Sequence, residues 1–156
     1  MRLSDILAAD GVKVIAAAGS KKRLFQELAE MSAAGFGLDA TATAEALLER
    51  EGLGPTGVGH GVALPHARLG GIDRVGGLFV RLERALDFDA VDRQPVDLVF
   101  CLLAPASAGV EHLKALALVS RTLRDPAVCA KLRANTDPAK LFAILTEASQ
   151  PQVAVG

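Results

Sequence analysis

An α/β (α+β) sandwich, a mixed β-sheet flanked by helices in a single domain, is the fold class this chain predicts, and three observations carry the prediction. Two apolar runs of strand length, "RVGGLFVRLE" (74–83) and "PVDLVFCLLAP" (95–105), are flanked by turn residues. Segments with apolar residues at helical spacing lie on both sides of them, so strands interleave with helices. The chain has 156 residues, 51% of them hydrophobic, which fits one core that buries roughly two-thirds of the unfolded surface.

The elements follow in order. "VKVIAAAG" (12–19) is short, partly β-branched and closed by glycine, which predicts a strand. Ser20 then caps a helix over "KKRLFQELAEMSAAG", where Leu24, Leu28 and Met31 share a face. "LDATATAEALLEREG" offers Asp39 and Thr41 as caps, an apolar face through Ala44, Leu47 and Leu48, and a glycine stop at Gly52, so a second helix ends near Arg50. Residues 74–83 and 95–105 are the next strands, and the second is apolar enough to be covered on both faces, which places it centrally. "GVEHLKALALVSRTLRD", "PAVCAKLRA" and "DPAKLFAILTEA" are three helices, and proline opens the last two at a position a first turn allows. The domain is expected to span 1–156, with a core of about 3–147 and a frayed tail over 148–156.

Charge and cysteine use narrow the function classes. Seventeen Lys plus Arg against eighteen Asp plus Glu give a net charge of −1, so no overall field draws the protein to nucleic acid or anionic lipid. No apolar run approaches the roughly 18 residues of a membrane span, and the start lacks a signal-peptide core, so a cytoplasmic protein without membrane insertion is expected. Cys101 and Cys129 have no second Cys or His at zinc spacing and read as buried small hydrophobes. No cofactor and no metal are expected.

The chemistry concentrates in "GVGHGVALPHARLGG" (57–71). Extended without a bulge, this stretch would place Val58, His60, Val62, Leu64 and His66 on one face and small residues on the other. So many glycines mark a bulge, a turn or a close approach of backbone or ligand. Pro65 fixes its own φ and biases Leu64 towards extended backbone, so the chain entering His66 is stiffened. As a zinc ligand His66 has too few partners, since only His60 and His112 are available, and as the base of a triad it lacks a GxSxG or cysteine nucleophile. The remaining chemical role is the nucleophile itself, an imidazole nitrogen attacking a phosphoryl group near neutral pH, with close backbone donors and cations balancing its oxygens. A hydrogen-bonded loop histidine is the alternative on spacing alone.

Gly59-x-Gly61-x-Ala63-x-Pro65-His66 resembles the phosphorylation-site motif of the enzyme IIA components of the fructose/mannitol class of the bacterial sugar phosphotransferase system. The resemblance is colinear over nearly the whole chain. "LDFDAVDRQPVDLVFCLLAP" resembles the family's segment leading into a central strand, and "EHLKALALVSRTLRD" its following helix with an early histidine. These segments are most similar to the nitrogen-regulatory branch. The resemblance implies that His66 accepts a phosphoryl group from a histidine-containing phosphocarrier protein, itself charged from phosphoenolpyruvate by an enzyme I that carries any Mg²⁺ requirement. It further implies that His112 and Arg50 stabilise the phosphoryl group. A helix start near Glu111 would add backbone donors and the positive end of a dipole, and Arg50 a planar fork.

Other readings stand beside these. Arg50 is open to pairing with Glu45, Glu49 or Glu51 or to complementing its own helix end, and His112 to a solvated first turn. His60 has no counterpart required by the motif, and Arg68 suits either a phosphoryl contact or a solvated loop. Asp87, Asp89, Asp92 and Asp97 read as turn formers rather than a two-metal site. Ala67 stands where the family often has glycine, and Arg93 where small or polar residues are common. Three functions follow: a phosphorelay protein regulating nitrogen-, carbon- or potassium-related targets; a sugar-specific enzyme IIA passing phosphate to an enzyme IIB; or a non-catalytic α/β binding domain.

Overall fold

The computed structural model describes residues 1–148, and the tail from residue 149 onward lies outside the described residues. Six strands form one sheet: β1 (Leu7–Ile15), β2 (Gly57–Gly59), β3 (Val62–Ala63), β4 (His66–Leu69), β5 (Gly76–Leu86) and β6 (Val96–Pro105). Six helices accompany them: α1 (Leu3–Ile6), α2 (Lys21–Phe36), α3 (Ala40–Gly52), α4 (Gly109–Leu123), α5 (Pro126–Arg133) and α6 (Pro138–Ala148). The strand order is β1-β5-β6-β3-β2, with β4 pairing β6 beyond β3.

β6 is the centre, as its unbroken apolar sequence predicts. On one edge β5 runs antiparallel to it, and on the other β3 and then β4 run parallel, Val62 facing Leu98 and His66 facing Leu102. Period-2 alternation sends its side chains to opposite layers. Leu98, Phe100, Leu102 and Ala104 pack with Ala115, Leu118 and Val119 of α4 and with apolar residues of α5 and α6. Val99, Cys101 and Leu103 pack with Leu24, Phe25 and Leu28 of α2 and Leu47 of α3. The molecule is therefore a helix–sheet–helix sandwich with a core on each face. Both cysteines are free and buried.

Local signals hold at most boundaries. The Ser20 side chain accepts from the Arg23 N–H to cap α2, Asp39 accepts from Ala42 to cap α3, and Asp125 accepts from Ala127 to cap α5. Three expectations need correction. The first strand starts at Leu7 rather than Val12, because it pairs β5 across a bulge between those residues, and a single-turn helix precedes it. The fourth helix starts at Gly109 rather than near Glu111, with no side-chain cap at Ala108. Residues 57–66 are not one extended run: β2 and β3 form a hairpin whose turn is His60 (φ 57°) and Gly61 (φ 78°). Two consecutive left-handed residues are what a two-residue I′-type hairpin requires, and they turn the small-residue face back on itself. Alternation holds from Val62 onward, with Val62 and Leu64 facing the α4 layer and Ala63 and Ala67 the α2/α3 layer.

Candidate functional site

His66 opens β4, and alternation with Ala67 aims both it and Arg68 towards the α4 side of the sheet. Pro65 hands its carbonyl to the Leu102 N–H of β6, which anchors the backbone just before the histidine. The Leu64 carbonyl turns onto the imidazole: His66 Nδ1 lies 2.9 Å from it. A carbonyl only accepts, so the neutral ring carries its proton on Nδ1 and its lone pair on Nε2.

From the opposite layer, the last turn of α3 brings Arg50 to that lone pair. Its Nε donates to His66 Nε2 at 3.2 Å and its Nη1 to the Gly54 carbonyl at 2.9 Å. Glu51, next in sequence, turns away: its carboxylate pairs with Lys21 and accepts from both the Thr56 N–H and the Thr56 hydroxyl. That network ties α2, the end of α3 and residues 54–56 together, and it holds Gly54 where Arg50 needs it. Arg50 therefore joins His66 rather than Glu45, Glu49 or Glu51.

His112, the fourth residue of α4, is buried at 4% exposure and stands edge-on to His66 with ring centroids 5.4 Å apart. The Arg68 Nε donates to His112 Nδ1 at 3.3 Å. Burial holds both imidazoles below their ordinary pKa. For His66 it outweighs the Leu64 carbonyl, which acts the other way, and the Arg50 charge adds to it; for His112 the neighbouring His66 and the Arg68 charge add to it. Two neutral imidazoles and two guanidiniums thus share one pocket of about 430 Å³, rimmed by Leu53, Leu113 and Leu116. Leu53 and Leu113 are 82% and 65% exposed.

His66, His112 and Arg50, the residues singled out in the sequence, are brought together by the fold, and Arg68 joins them. His60 lies elsewhere, in the hairpin turn, where its N–H donates to Asp92 and its carbonyl accepts from Arg133. Sequence reasoning did not foresee the carbonyls of Leu64 and Gly54. The only signal for Leu64 was the proline after it, which favours the extended backbone seen there. The aspartates form turns and pairs: Asp87 accepts from the Asp89 N–H, Asp92 from Gln94, and Asp97 takes a forked pair from Arg133. Among the described residues no group of three or more His, Cys, Asp or Glu is placed to hold a metal ion, and no helix is long and apolar enough to cross a membrane.

Comparison with known proteins gives this arrangement a context. The chain is 46% identical over 145 residues to a nitrogen regulatory protein of Bradyrhizobium diazoefficiens, covering 93% of this chain and 95% of that one. The crystal structure of nitrogen regulatory protein IIA-Ntr from Neisseria meningitidis superposes with a TM-score of 0.85 at 36% identity, over 92% of this chain and 99% of that one. The IIA mannitol structure from Escherichia coli shares the fold, with a TM-score of 0.74 at 22% identity over 88% of this chain and 97% of that one. The family model described as "Phosphoenolpyruvate-dependent sugar phosphotransferase system, EIIA 2" matches residues 5–148, which takes in every side chain of the pocket. With the sandwich and the histidine motif already in place, that match settles the family: the chain belongs to the EIIA 2 proteins of the phosphoenolpyruvate-dependent sugar phosphotransferase system.

Proposed function

We propose that this protein is a phosphorelay component that accepts a phosphoryl group on Nε2 of His66 from a histidine-containing phosphocarrier protein, and that the presence of that group regulates protein targets. The observation that carries the reading is the hydrogen bond from His66 Nδ1–H to the Leu64 carbonyl. It leaves Nε2 unprotonated, and the lowered pKa keeps it so at neutral pH, which makes it a ready nucleophile.

The transfer balances without a base. The Nε2 lone pair forms the new N–P bond while the donor's N–P bond breaks and its electron pair returns to the donor imidazole. The proton stays on Nδ1, still donated to the Leu64 carbonyl. The Arg50 Nε–H, released from the lone pair, turns to a phosphoryl oxygen, and His112 offers a second donor. Phosphoryl transfer depends mainly on such positioning and charge balance. The exposed Leu53 and Leu113 beside the pocket suit a small, reversible protein interface, which a relay that must release its partners requires. Phosphorylation adds about −1.5 to −2 charges to that rim and so changes which partners fit. The relay operates in the cytoplasm, where such a carrier is charged.

Full-length similarity to nitrogen regulatory proteins supports protein targets over a sugar-specific enzyme IIB as the acceptor. The test is transfer of label from phosphoenolpyruvate through an enzyme I and its phosphocarrier to the wild type, His66→Ala and His112→Ala. Acid-labile label on the wild type, none on His66→Ala and slower labelling of His112→Ala are expected. Label that persists in His66→Ala would move the acceptor elsewhere, and an unlabelled wild type would remove the relay.

A further inference from the structure

We propose that Arg68 is a positioning residue that fixes the tautomer of His112, holding that ring's single proton on Nε2 so that it faces a phosphoryl group as a neutral N–H donor. The role in transfer rests on the phosphoryl-accepting reading of His66; the tautomer itself does not.

Arginine has only donors and does not deprotonate in proteins, so any nitrogen within its hydrogen-bond reach must present a lone pair. Arg68 Nε lies 3.3 Å from His112 Nδ1. Nδ1 is therefore the acceptor, and a neutral imidazole must then carry its proton on Nε2. That nitrogen is buried and has no hydrogen-bond partner among the described residues. A buried donor without a partner is costly, and an anionic oxygen brought beside it would supply the missing acceptor. The His66 ring, edge-on at 5.4 Å, is where a group with anionic oxygens would be carried.

Arg68 is placed for this by the strand. It is two residues beyond His66 on β4 and so shares its face, and β4 is locked to β6 by pairing of His66 with Leu102 and of Arg68 with Ala104. Its side chain is not drawn away, for Arg68 forms no ion pair among the described residues. Burial, the neighbouring His66 and the Arg68 charge all disfavour the imidazolium of His112, so the neutral tautomer is the populated form. The same device works in reverse at the nucleophile: Arg50 Nε meets His66 Nε2, and there the proton sits on Nδ1. Two arginines thus impose opposite tautomers on two neighbouring histidines, one made a nucleophile and the other a donor.

The test is long-range ¹H–¹⁵N correlation of the imidazole nitrogens in the unphosphorylated full chain near pH 7, for wild type, Arg68→Met and Arg68→Lys. The expected wild type shows His112 with its proton on Nε2 and His66 with its proton on Nδ1. Arg68→Met should move His112 to a mixture with the Nδ1–H form and raise its pKa, since a neighbouring positive charge is lost. Arg68→Lys, still a donor and a cation, should return most of the Nε2–H form. An unchanged His66 pattern in both variants reports an intact site. Phosphotransfer to Arg68→Met should slow by about tenfold, less than the roughly hundredfold that removing a positioned donor outright costs, because the His112 ring remains. A wild-type His112 with its proton on Nδ1, or an Arg68→Met spectrum with the Nε2–H form intact, overturns the proposal even if phosphotransfer proceeds. The expected tautomers in a wild type that takes no phosphate would instead overturn the relay and leave the tautomer assignment standing.

Discussion

At the scale of single residues, Arg50 does two things that a substitution can separate. Its charge helps keep His66 neutral, and its fork links Nε2 of that ring to the Gly54 carbonyl. Lysine keeps the charge but has no second, rigidly spaced donor. Arg50→Lys should therefore leave the His66 pKa low while labelling slows by on the order of a hundredfold, the usual cost of one misplaced transition-state donor. Arg50→Met should lose rate and also raise the His66 pKa. Labelling kinetics together with an NMR titration of His66 check both, and a pKa that rises equally in the two variants would show that the fork, not the charge, holds the ring neutral. The family resemblance points at Arg50, but neither its bond to His66 nor its Gly54 partner was readable from the residue types of "LLEREGLG". An arginine at a helix end looks the same in sequence whether it pairs with Glu49 or crosses to a strand 16 residues on, and only the Glu51–Lys21–Thr56 network decides it.

At the scale of elements, the segments with strong periodicity were legible: α2 to α6, β5 and β6 all exist where apolar spacing puts them, with ends displaced by two or three residues at α4 and β5. What escaped were elements too short to show a period, the four-residue α1 and the hairpin of three-residue β2 with two-residue β3. The hairpin is specified by contacts far along the chain instead. Arg133 donates to the His60 carbonyl and to Asp97, and the Asp97 N–H donates to the Gly61 carbonyl. A Cβ on Gly61 would meet the Arg133 guanidinium and lie 2.9 Å from Asp97 Oδ1, at a φ of +78°. Gly61→Ala should thus destabilise the protein by at least the roughly 1–2 kcal/mol that left-handed backbone costs a residue with a Cβ. His60 occupies the other left-handed position, and His60→Asn would create the Asn-Gly pair that such turns favour. It should raise stability by a few tenths to about 1 kcal/mol while leaving labelling unchanged, because His60 does not line the His66 pocket. Urea unfolding and the labelling assay measure the two effects, and slower labelling of His60→Asn would mean that the turn communicates with the site.

At the scale of the whole molecule, the site exists only when all three layers are assembled. Arg50 comes from the α2/α3 layer, His66 and Arg68 from the sheet and His112 from the α4 layer, so folding itself moves two imidazoles from water into a pocket walled by two arginines. That transfer leaves a signature in stability. In the unfolded chain both imidazoles titrate near pH 6.5, whereas in the fold both titrate lower, burial being the first cause for each. Between the folded and unfolded values the unfolded state binds more protons, and stability must then rise with pH. The contribution is fully present above about pH 6.5, is lost as pH falls towards the folded pKa values, and levels off below them. Urea unfolding of the wild type from pH 8 down to pH 5 should show this loss. The double variant His66→Gln/His112→Gln, which retains polar side chains but cannot titrate, should lose less over the same range, and the difference between the two curves isolates the histidines from the carboxylates. Identical curves would mean that the imidazoles remain as hydrated in the fold as in the unfolded chain. The nucleophile would then owe its neutral form at pH 7 to its ordinary chemistry rather than to the pocket.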